Sequence, residues 1–359
     1  MAAQLINLAD YEAAARDRLP REIWDFIAGG SMDGISLRRN RSAFEALALQ
    51  PRNLRDVTSR DLRTTVLGTP VSMPIIVSPA GVQAAADPEA EVATARGVGL
   101  SDTIMTVPMG ANRALADIAA AATGPLWQQV YHRSREHTEG VVRQAEALGF
   151  AAICLTCDVP VYSLKERDQR NGFDVLRYAQ TGDVAGSVAP YPAMAFAAQP
   201  REPLTWREVE WLRGLTKLPI VLKGLTHPDD ARIGADAGAN AVMVSTHGGR
   251  IVDGTLSALE SLPSVVDAVG SRVEVYLDSG VRRGSDALKA LALGARAVGV
   301  ARPFLWGLAV DGAQGVHAVL EILRAEFDLA LAFCGHTDVA GITPDTVHVP
   351  LGWGLSAGR

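Results

Sequence analysis

The sequence predicts a (β/α)8 barrel, eight parallel strands closed on themselves inside a ring of helices. Eight short runs rich in Val, Ile and Leu alternate with eight stretches of helical periodicity along 359 residues. Polar residues gather where the apolar runs end, which is where barrels of this kind carry their chemistry. A doubly wound open sheet is the alternative, but it usually needs fewer strands and no closure.

Residues 1–65 read as a helical preface with a short extended end, carrying Trp24, Asp25, Phe26 and a Gly29-Gly30 turn. The strands are expected at 72–78, 103–107, 126–131, 151–156, 219–223, 239–246, 273–278 and 297–301. Helices are expected between and after them, at 89–100, 113–122, 136–148, 205–215, 229–237, 256–269, 285–293 and 312–331. His-Pro-Asp-Asp before Ala231 and Gly-Ser-Asp before Ala287 are helix starts. Gly149-Phe150, Gly238-Ala239 and Gly294-Ala295 precede strands, as glycines ending helices would. Residues 174–203, rich in Ala, Gly and Pro, break the rhythm between the fourth strand and its helix. So long a loop usually has a function, and a lid over the barrel mouth is expected. The whole of 1–359 then forms a single catalytic domain, with 1–65 as extension and 66–359 as barrel.

Composition narrows the function. Hydrophobic residues make up 48% and charged residues 21%, enough for a sizeable core. The net charge of −6 leaves no basic footprint, so nucleic acid is not expected as a partner. Cys154 and Cys157 have CxxC spacing but lie in the run Ala-Ala-Ile-Cys-Leu-Thr-Cys. Residues three apart on a strand face opposite sides, so packing is expected and no metal site. No apolar run reaches the roughly 18–20 residues of a membrane helix. The acidic, amphipathic N-terminus is unlike a signal peptide, so a reduced, cytoplasmic setting is expected.

The strand ends hold the candidate site. The run Val242-Met243-Val244 ends in Ser245, Thr246, His247, Gly248, Gly249 and Arg250. A histidine takes protons near neutral pH, and an arginine holds a carboxylate through two parallel hydrogen bonds. Other ends supply Pro79-Ala80-Gly81, Pro108, Gln129 with Tyr131, Thr156 with Asp158, Lys223, Asp278 and Arg302. After strand seven, Asp278-Ser279-Gly280 and Arg282 open a helix, and Ala301-Arg302 follows strand eight. Backbone N–H groups at such turns bind phosphate, so a phosphorylated ligand is expected at units seven and eight. Lys223, across the mouth, would then stabilise negative charge on its far end.

These residues lie in motifs that resemble one family, the FMN-dependent 2-hydroxy acid oxidases and dehydrogenases, which includes glycolate oxidases, lactate oxidases and mandelate dehydrogenases. The motifs are Ser78-Pro-Ala-Gly-Val-Gln83, Gln129-Val-Tyr131, Leu155-Thr-Cys-Asp-Val-Pro160, Arg167-Asp-Gln-Arg-Asn-Gly-Phe173, Val221-Leu-Lys-Gly224, Ser245-Thr-His-Gly-Gly-Arg250 and Asp278-Ser-Gly-Val-Arg-Arg-Gly284. They span about Leu8 to Asp345. The resemblance implies FMN across the mouth, its phosphate at Ser279, Gly280, the Ala301 backbone, Arg282 and Arg302. It implies Asp278 on the ribityl chain, and Pro79, Ala80 and Gly81 along the ring. It gives Gln129, Thr156 and Ser245 hydrogen bonds to the flavin, and Lys223 a place where charge develops on reduction. Pro108, Gly248 and Arg250 belong to the same cofactor wall. His247 would be the base, Asp158 the partner of its imidazolium, Arg250 the holder of the substrate carboxylate, and Tyr131 a donor to the substrate oxygen. Flavin N5 would accept a hydride if His247 removes the hydroxyl proton. In the carbanion version His247 takes the α-proton instead; both stay open. The resemblance also implies a homotetramer, with oxygen or a soluble carrier as electron acceptor.

Departures from the family pattern cluster around the substrate. Phe26 stands where a tyrosine is usual, Lys165 where a second arginine is usual, and Pro108 replaces a serine. Gly110 replaces a bulky residue, and Thr246 replaces an asparagine. Losing a hydroxyl and a guanidinium fork weakens the grip on a small carboxylate, and Gly110 enlarges the pocket. A bulky or aromatic substrate of the mandelate kind is therefore expected. The tail segment from Gly335 to Asp345 and Ser-Pro-Ala-Gly-Val-Gln support a second reading, oxidation of an amine or alcohol carbon on a larger natural-product or peptide-derived molecule. Non-redox use of FMN, or flavin binding without turnover, would not need the His247–Asp158 pair.

Overall fold

The computed structural model describes residues 5–161, 163–173 and 202–353. Eight parallel strands close a barrel: β1 (Ile75–Val77), β2 (Met105–Val107), β3 (Leu126–Val130), β4 (Ala152–Thr156), β5 (Ile220–Lys223), β6 (Ala241–Val244), β7 (Glu274–Leu277) and β8 (Ala297–Val300). Each pairs with the next, and β8 returns to β1 through Gly299 opposite Ile76. Nearly every strand residue is buried, which is why the strands read as continuous apolar runs and not as alternating ones. Each strand begins and ends within a few residues of its expected position.

Ile76, Trp127, Cys154, Val221, Met243, Tyr276 and Ala297 fill the barrel interior, with the Trp127 and Tyr276 rings 5.8 Å apart. Cys154 thus packs inside the barrel. The antiparallel strands Thr64–Val66 and Thr69–Val71 bring Val66 and Val71 into the same cluster and close the barrel's lower end. Their turn is Leu67-Gly68, both with positive φ, the mirror-image turn that matches strand twist. The sequence indicates only an extended end here, because leucine at a left-handed position carries no turn signal.

The outer helices are α4 (Glu91–Leu100), α5 (Leu115–Ala121), α6 (Arg135–Ala147), α8 (Trp206–Leu215), α9 (Pro228–Asp236), α10 (Ala258–Val269), α11 (Gly284–Ala292) and α12 (Arg302–Phe333), with a short α7 (Glu166–Arg170) after β4. The last differs from expectation. Helix begins at Arg302, and residue 312 marks a break, with Asp311 and Gly312 in non-helical conformations. Proline at the second position suits a helix start, and glycine tolerates the φ of +52° at the kink.

The preface forms α1 (Leu8–Arg18), α2 (Arg21–Ala28) and α3 (Ile35–Ala46). Leu8, Tyr11, Ile23 and Phe44 join one core with Val316, Val319 and Phe327 of α12. Ala48–Leu49 pairs antiparallel with Val347–His348, tying the two ends of the chain together. The expected lid lies outside the described residues except at 202–203, where Glu202 N–H donates to the Arg133 carbonyl at 2.7 Å.

Candidate active site

The strands' C-terminal ends surround a cavity of about 320 Å³. Pro79, Ala80 and Gly81 enter it from β1, Pro108 and Gly110 from β2, and Gln129 and Tyr131 from β3. Thr156, Lys165 and Lys223 form the middle of the wall, and His247, Gly248 and Arg250 follow β6. Asp278, Ser279, Gly280 and Arg282 follow β7, Ala301 and Arg302 follow β8, and Phe26 reaches in from α2. Two expected site residues, Asp158 and Ser245, stand one layer behind this wall.

The loop carrying His247 is built on strained backbone. His247, Gly248 and Gly249 all have positive φ, and for histidine that conformation is rare. The His247 N–H donates to Ser245 Oγ at 3.0 Å. Its ring Nδ1 lies 3.0 Å from Asp158 Oδ1, leaving Nε2 towards the cavity, 3.5 Å from the Tyr131 hydroxyl. Burial would raise the Asp158 pKa, but the charges of His247 and Lys223 and the hydrogen bond from His247 bring it below the ordinary value. Gly224 makes the approach possible: a Cβ there would sit 2.5 Å from Asp158 Cγ. Burial, reinforced by Asp158, pushes the Tyr131 pKa up to about 12, so its hydroxyl remains a donor at neutral pH.

Lys223 forms a buried ion pair with Asp278 at 3.1 Å and donates to Ser245 Oγ at 2.9 Å. Burial alone would lower its pKa; the carboxylates of Asp278 and Asp158 overcome this and raise it, so the lysine is charged. Ser78 donates to Asp278 Oδ2 at 3.1 Å and Ser279 to Oδ1 at 2.9 Å. The Ser245 oxygen, expected to meet the flavin, accepts from Lys223 and from the His247 N–H, and its hydroxyl proton stays available to donate. Gln129 Nε2 donates to Thr156 Oγ1 at 2.9 Å, and both face the cavity.

The far end gathers buried arginines. Arg282 lies over Trp306 at 4.9 Å, its pKa pushed down to about 10 by burial and then by Arg41. Arg302 is held well below its ordinary value by burial, then by Arg250 and Arg282. It donates to the carbonyls of Ile27, Gly29 and Gly248 at 2.7, 2.7 and 3.1 Å, so it ties the preface to the base loop as well as lending charge. Buried guanidiniums that repel one another are relieved by a multiply charged anion, and α12 begins at Arg302. Gly299 lets Ser78 pack against β8 beside Asp278, since a Cβ there would lie 2.2 Å from Ser78 Oγ. These residues fit the phosphate of FMN.

The remaining wall carries the departures from the family pattern. The Arg250 guanidinium lies 4.8 Å from the Phe26 ring centroid, and Phe26 stacks on Phe173 at 4.5 Å. Lys165 Nζ donates to Ser163 Oγ at 2.8 Å. Burial and then Arg250 push the Lys165 pKa down to about 7, against the pull of Asp168. Among the described residues nothing lies within 4 Å of a Cβ built on Gly110, so they leave the cavity open there. Met109, Arg133, Val159 and Ser163 also line it but carry no spacing signal in the sequence. Phe173 closes a quoted motif, yet only folding places its ring against Phe26.

The family model for FMN-dependent dehydrogenase matches residues 15–349. The chain is 39% identical to L-lactate oxidase of Nostoc sp. over 358 residues, 96% of this chain and 98% of that one. It is 42% identical to 2-hydroxyacid oxidase 1 of Homo sapiens, covering 94% and 95%. The crystal structure of a mandelate oxidase with (S)-4-hydroxymandelic acid has a TM-score of 0.91 at 39% identity, covering 97% of this chain and 99% of that one. An active mutant of (S)-mandelate dehydrogenase has a TM-score of 0.89 at 35% identity, covering 97% and 100%. This chain therefore belongs to the FMN-dependent dehydrogenase family and is an FMN-dependent oxidoreductase acting on the CH–OH group of 2-hydroxy acids.

Proposed function

We propose that the chain oxidises an aryl 2-hydroxy acid of the mandelate kind to its 2-oxo acid, with His247 as the base. The observation that carries this is the Asp158–His247–Tyr131 line, which ends in a cavity walled by Arg250 and by Phe26, itself backed by Phe173. FMN, when bound, supplies the two-electron redox chemistry. Arg282, Arg302, the 279–280 turn and the Ala301 backbone would hold its phosphate, and Asp278 its ribityl chain. Pro79, Ala80, Gly81, Gln129 and Thr156 would face its ring, with the charged Lys223 stabilising negative charge there.

Arg250 grips the substrate carboxylate, and Lys165 adds a second positive charge. Tyr131 donates to the substrate oxygen. His247 Nε2 takes the substrate proton, and Asp158 stabilises the imidazolium while fixing the ring's orientation. The open space at Gly110 and the paired phenylalanines favour an aromatic side chain. The amine or natural-product reading finds no support in the likenesses to hydroxy acid oxidases, and Arg250 in the wall argues for an anion.

Residues 1–359 work as one catalytic domain in this reading, supported by the core that the preface shares with α12. A homotetramer, a cytoplasmic setting and oxygen or a soluble carrier as electron acceptor complete it. No helix among the described residues is long and apolar enough to cross a membrane. Anaerobic mixing with 2-hydroxy acids from glycolate to mandelate, and separately with amines and neutral alcohols, tests the substrate class. Bleaching of flavin absorbance by the aryl hydroxy acids is expected; bleaching by the amines alone would overturn the reading.

A further inference from the structure

We propose that Asn40 is a positioning residue for His247: by holding Thr246 Oγ1 it keeps the 246–249 loop in the left-handed backbone that turns the imidazole into the cavity. The inference rests on reading His247 as the base.

His247, Gly248 and Gly249 have φ of +54°, +66° and +73°. Glycine adopts this region freely, whereas a histidine stays there only where its surroundings over-determine it. Two sides of the loop supply that restraint. On one side Ser279 Oγ accepts from the N–H groups of Thr246 at 3.2 Å and Gly248 at 2.9 Å, the residues flanking the histidine. On the other side Asn40 Nδ2 donates to Thr246 Oγ1 at 2.8 Å, and Asn40 Oδ1 lies 3.2 Å from the same hydroxyl. Asn40 Oδ1 also accepts from the Ala258 N–H at 3.3 Å, at the start of α10.

Asn40 is 2% exposed, so its amide has no competing water to turn to. Helix α3, which carries it, touches the loops directly. A Cβ on Gly249 would lie 2.5 Å from the Leu37 nitrogen, and one on Gly280 would lie 2.4 Å from the Asn40 carbonyl oxygen. The residues on either side of Asn40 fix the helix to the barrel. Arg39 pairs with Glu260 through two bonds of 2.7 and 2.9 Å, and Arg41 pairs with Asp286 at 2.8 Å. Glu260 and Asp286 are the capping-box carboxylates of α10 and α11. Helix α3 is thus referenced to units six and seven, and Asn40 passes that reference to the loop carrying the base. Asparagine, the family's usual residue before the base, is Thr246 here, and its hydroxyl receives an amide from across the fold.

The test uses FMN-loaded protein and anaerobic flavin reduction by mandelate. Asn40→Ala should slow reduction on the order of 10- to 100-fold with KM and FMN content unchanged. Thr246→Val should do the same, and the double variant should be no slower than the slower single one. Hydrogen exchange should rise in peptides covering 246–249 in each variant. Arg60→Ala, which breaks the Arg60–Asp328 pair between the preface and α12 and lies off this path, should keep the reduction rate even where Tm falls. Should Asn40→Ala not fold, Thr246→Ser carries the test by restoring most of the rate lost in Thr246→Val. A wild-type rate in Asn40→Ala alongside an inactive His247→Ala, losses that multiply in the double variant, or no rescue by serine would each overturn the proposal. Wild-type reduction in His247→Ala would overturn the base reading and this proposal with it.

Discussion

Arg250 lies over the face of Phe26, its guanidinium carbon 4.8 Å from the ring centroid, and Phe173 stacks on the same ring. A ring under a guanidinium stabilises the cation, and an uninterrupted aromatic surface suits an aryl substrate better than a hydroxyl would. In the proposed reading, the group that holds the carboxylate and the pocket for the side chain are therefore one structure.

Removing the ring tests that coupling. Phe26→Ala should raise KM for mandelate roughly 5-fold, from a cation–π contribution of about 1 kcal/mol. The turnover number should change little, because the Phe26 side chain has no group that can move a proton. Steady-state kinetics with mandelate and lactate would check it; an equal change for both acids would argue against an aromatic pocket.

The base assignment makes a sharper demand. His247→Ala should leave a yellow protein whose flavin is reduced by substrate about 10²- to 10⁴-fold more slowly. Stopped-flow absorbance measures this directly. Reduction at the wild-type rate would remove His247 from the proton-transfer role.

Lys165 should give the enzyme a pH dependence near neutrality. With its pKa at about 7 in the protein without substrate, the second positive charge is present below that pH and lost above it. KM for a 2-hydroxy acid should therefore rise between about pH 6 and pH 9. Lys165→Arg should flatten that rise and lower KM for lactate and glycolate, since arginine keeps its charge. Stability has the opposite sign. The folded pKa lies below the ordinary 10.5, so the unfolded chain binds more protons between about 7 and 10.5, and this lysine's contribution to stability grows as pH rises through that window. Thermal melts of Lys165→Met should lack that increment.

The buried Lys223–Asp278 pair predicts a structural effect beside the chemical one. Lys223→Met leaves Asp278 without its cation in a nearly solvent-free site, a loss of about 3–5 kcal/mol where a buried pair is broken from one side. Asp278→Asn in the same background should recover part of the lost Tm. Calorimetry of both variants checks it, and an unchanged Tm in Lys223→Met would contradict the pairing.

Gly110 offers a size test. Gly110→Leu places a side chain where a Cβ meets no described residue within 4 Å, so folding should be unaffected. The ratio of kcat/KM for lactate over mandelate should rise about 10-fold or more, as occlusion of an aryl pocket is worth 1–3 kcal/mol.

Much of this molecule was legible before folding was considered. The eight strands show because strands covered on both sides are apolar at almost every position, and the helices between them carry their own start signals. The cluster from Ser245 to Arg250 shows because polar residues end an apolar run. Less was legible where a residue's meaning depends on a distant partner. Leu67 at a left-handed turn, the first half of α12 and the aromatic pairing of Phe173 leave no local pattern.

The barrel and the kinds of group at its mouth are written in the sequence, because periodicity and the polar ends of apolar runs are properties of neighbouring residues, while FMN was implied by the resemblance of the motifs to a known family. Tertiary structure alone decided which of those groups face the cavity. Asp158 and Ser245 stand behind the wall, holding His247 and Lys223, although they occupy strand ends like the rest. Asn40 reaches Thr246 from 206 positions away. The reason is geometric. A side chain's direction at a strand end follows from the local φ, and at His247 that φ is set by hydrogen bonds from α3 and from the turn after β7.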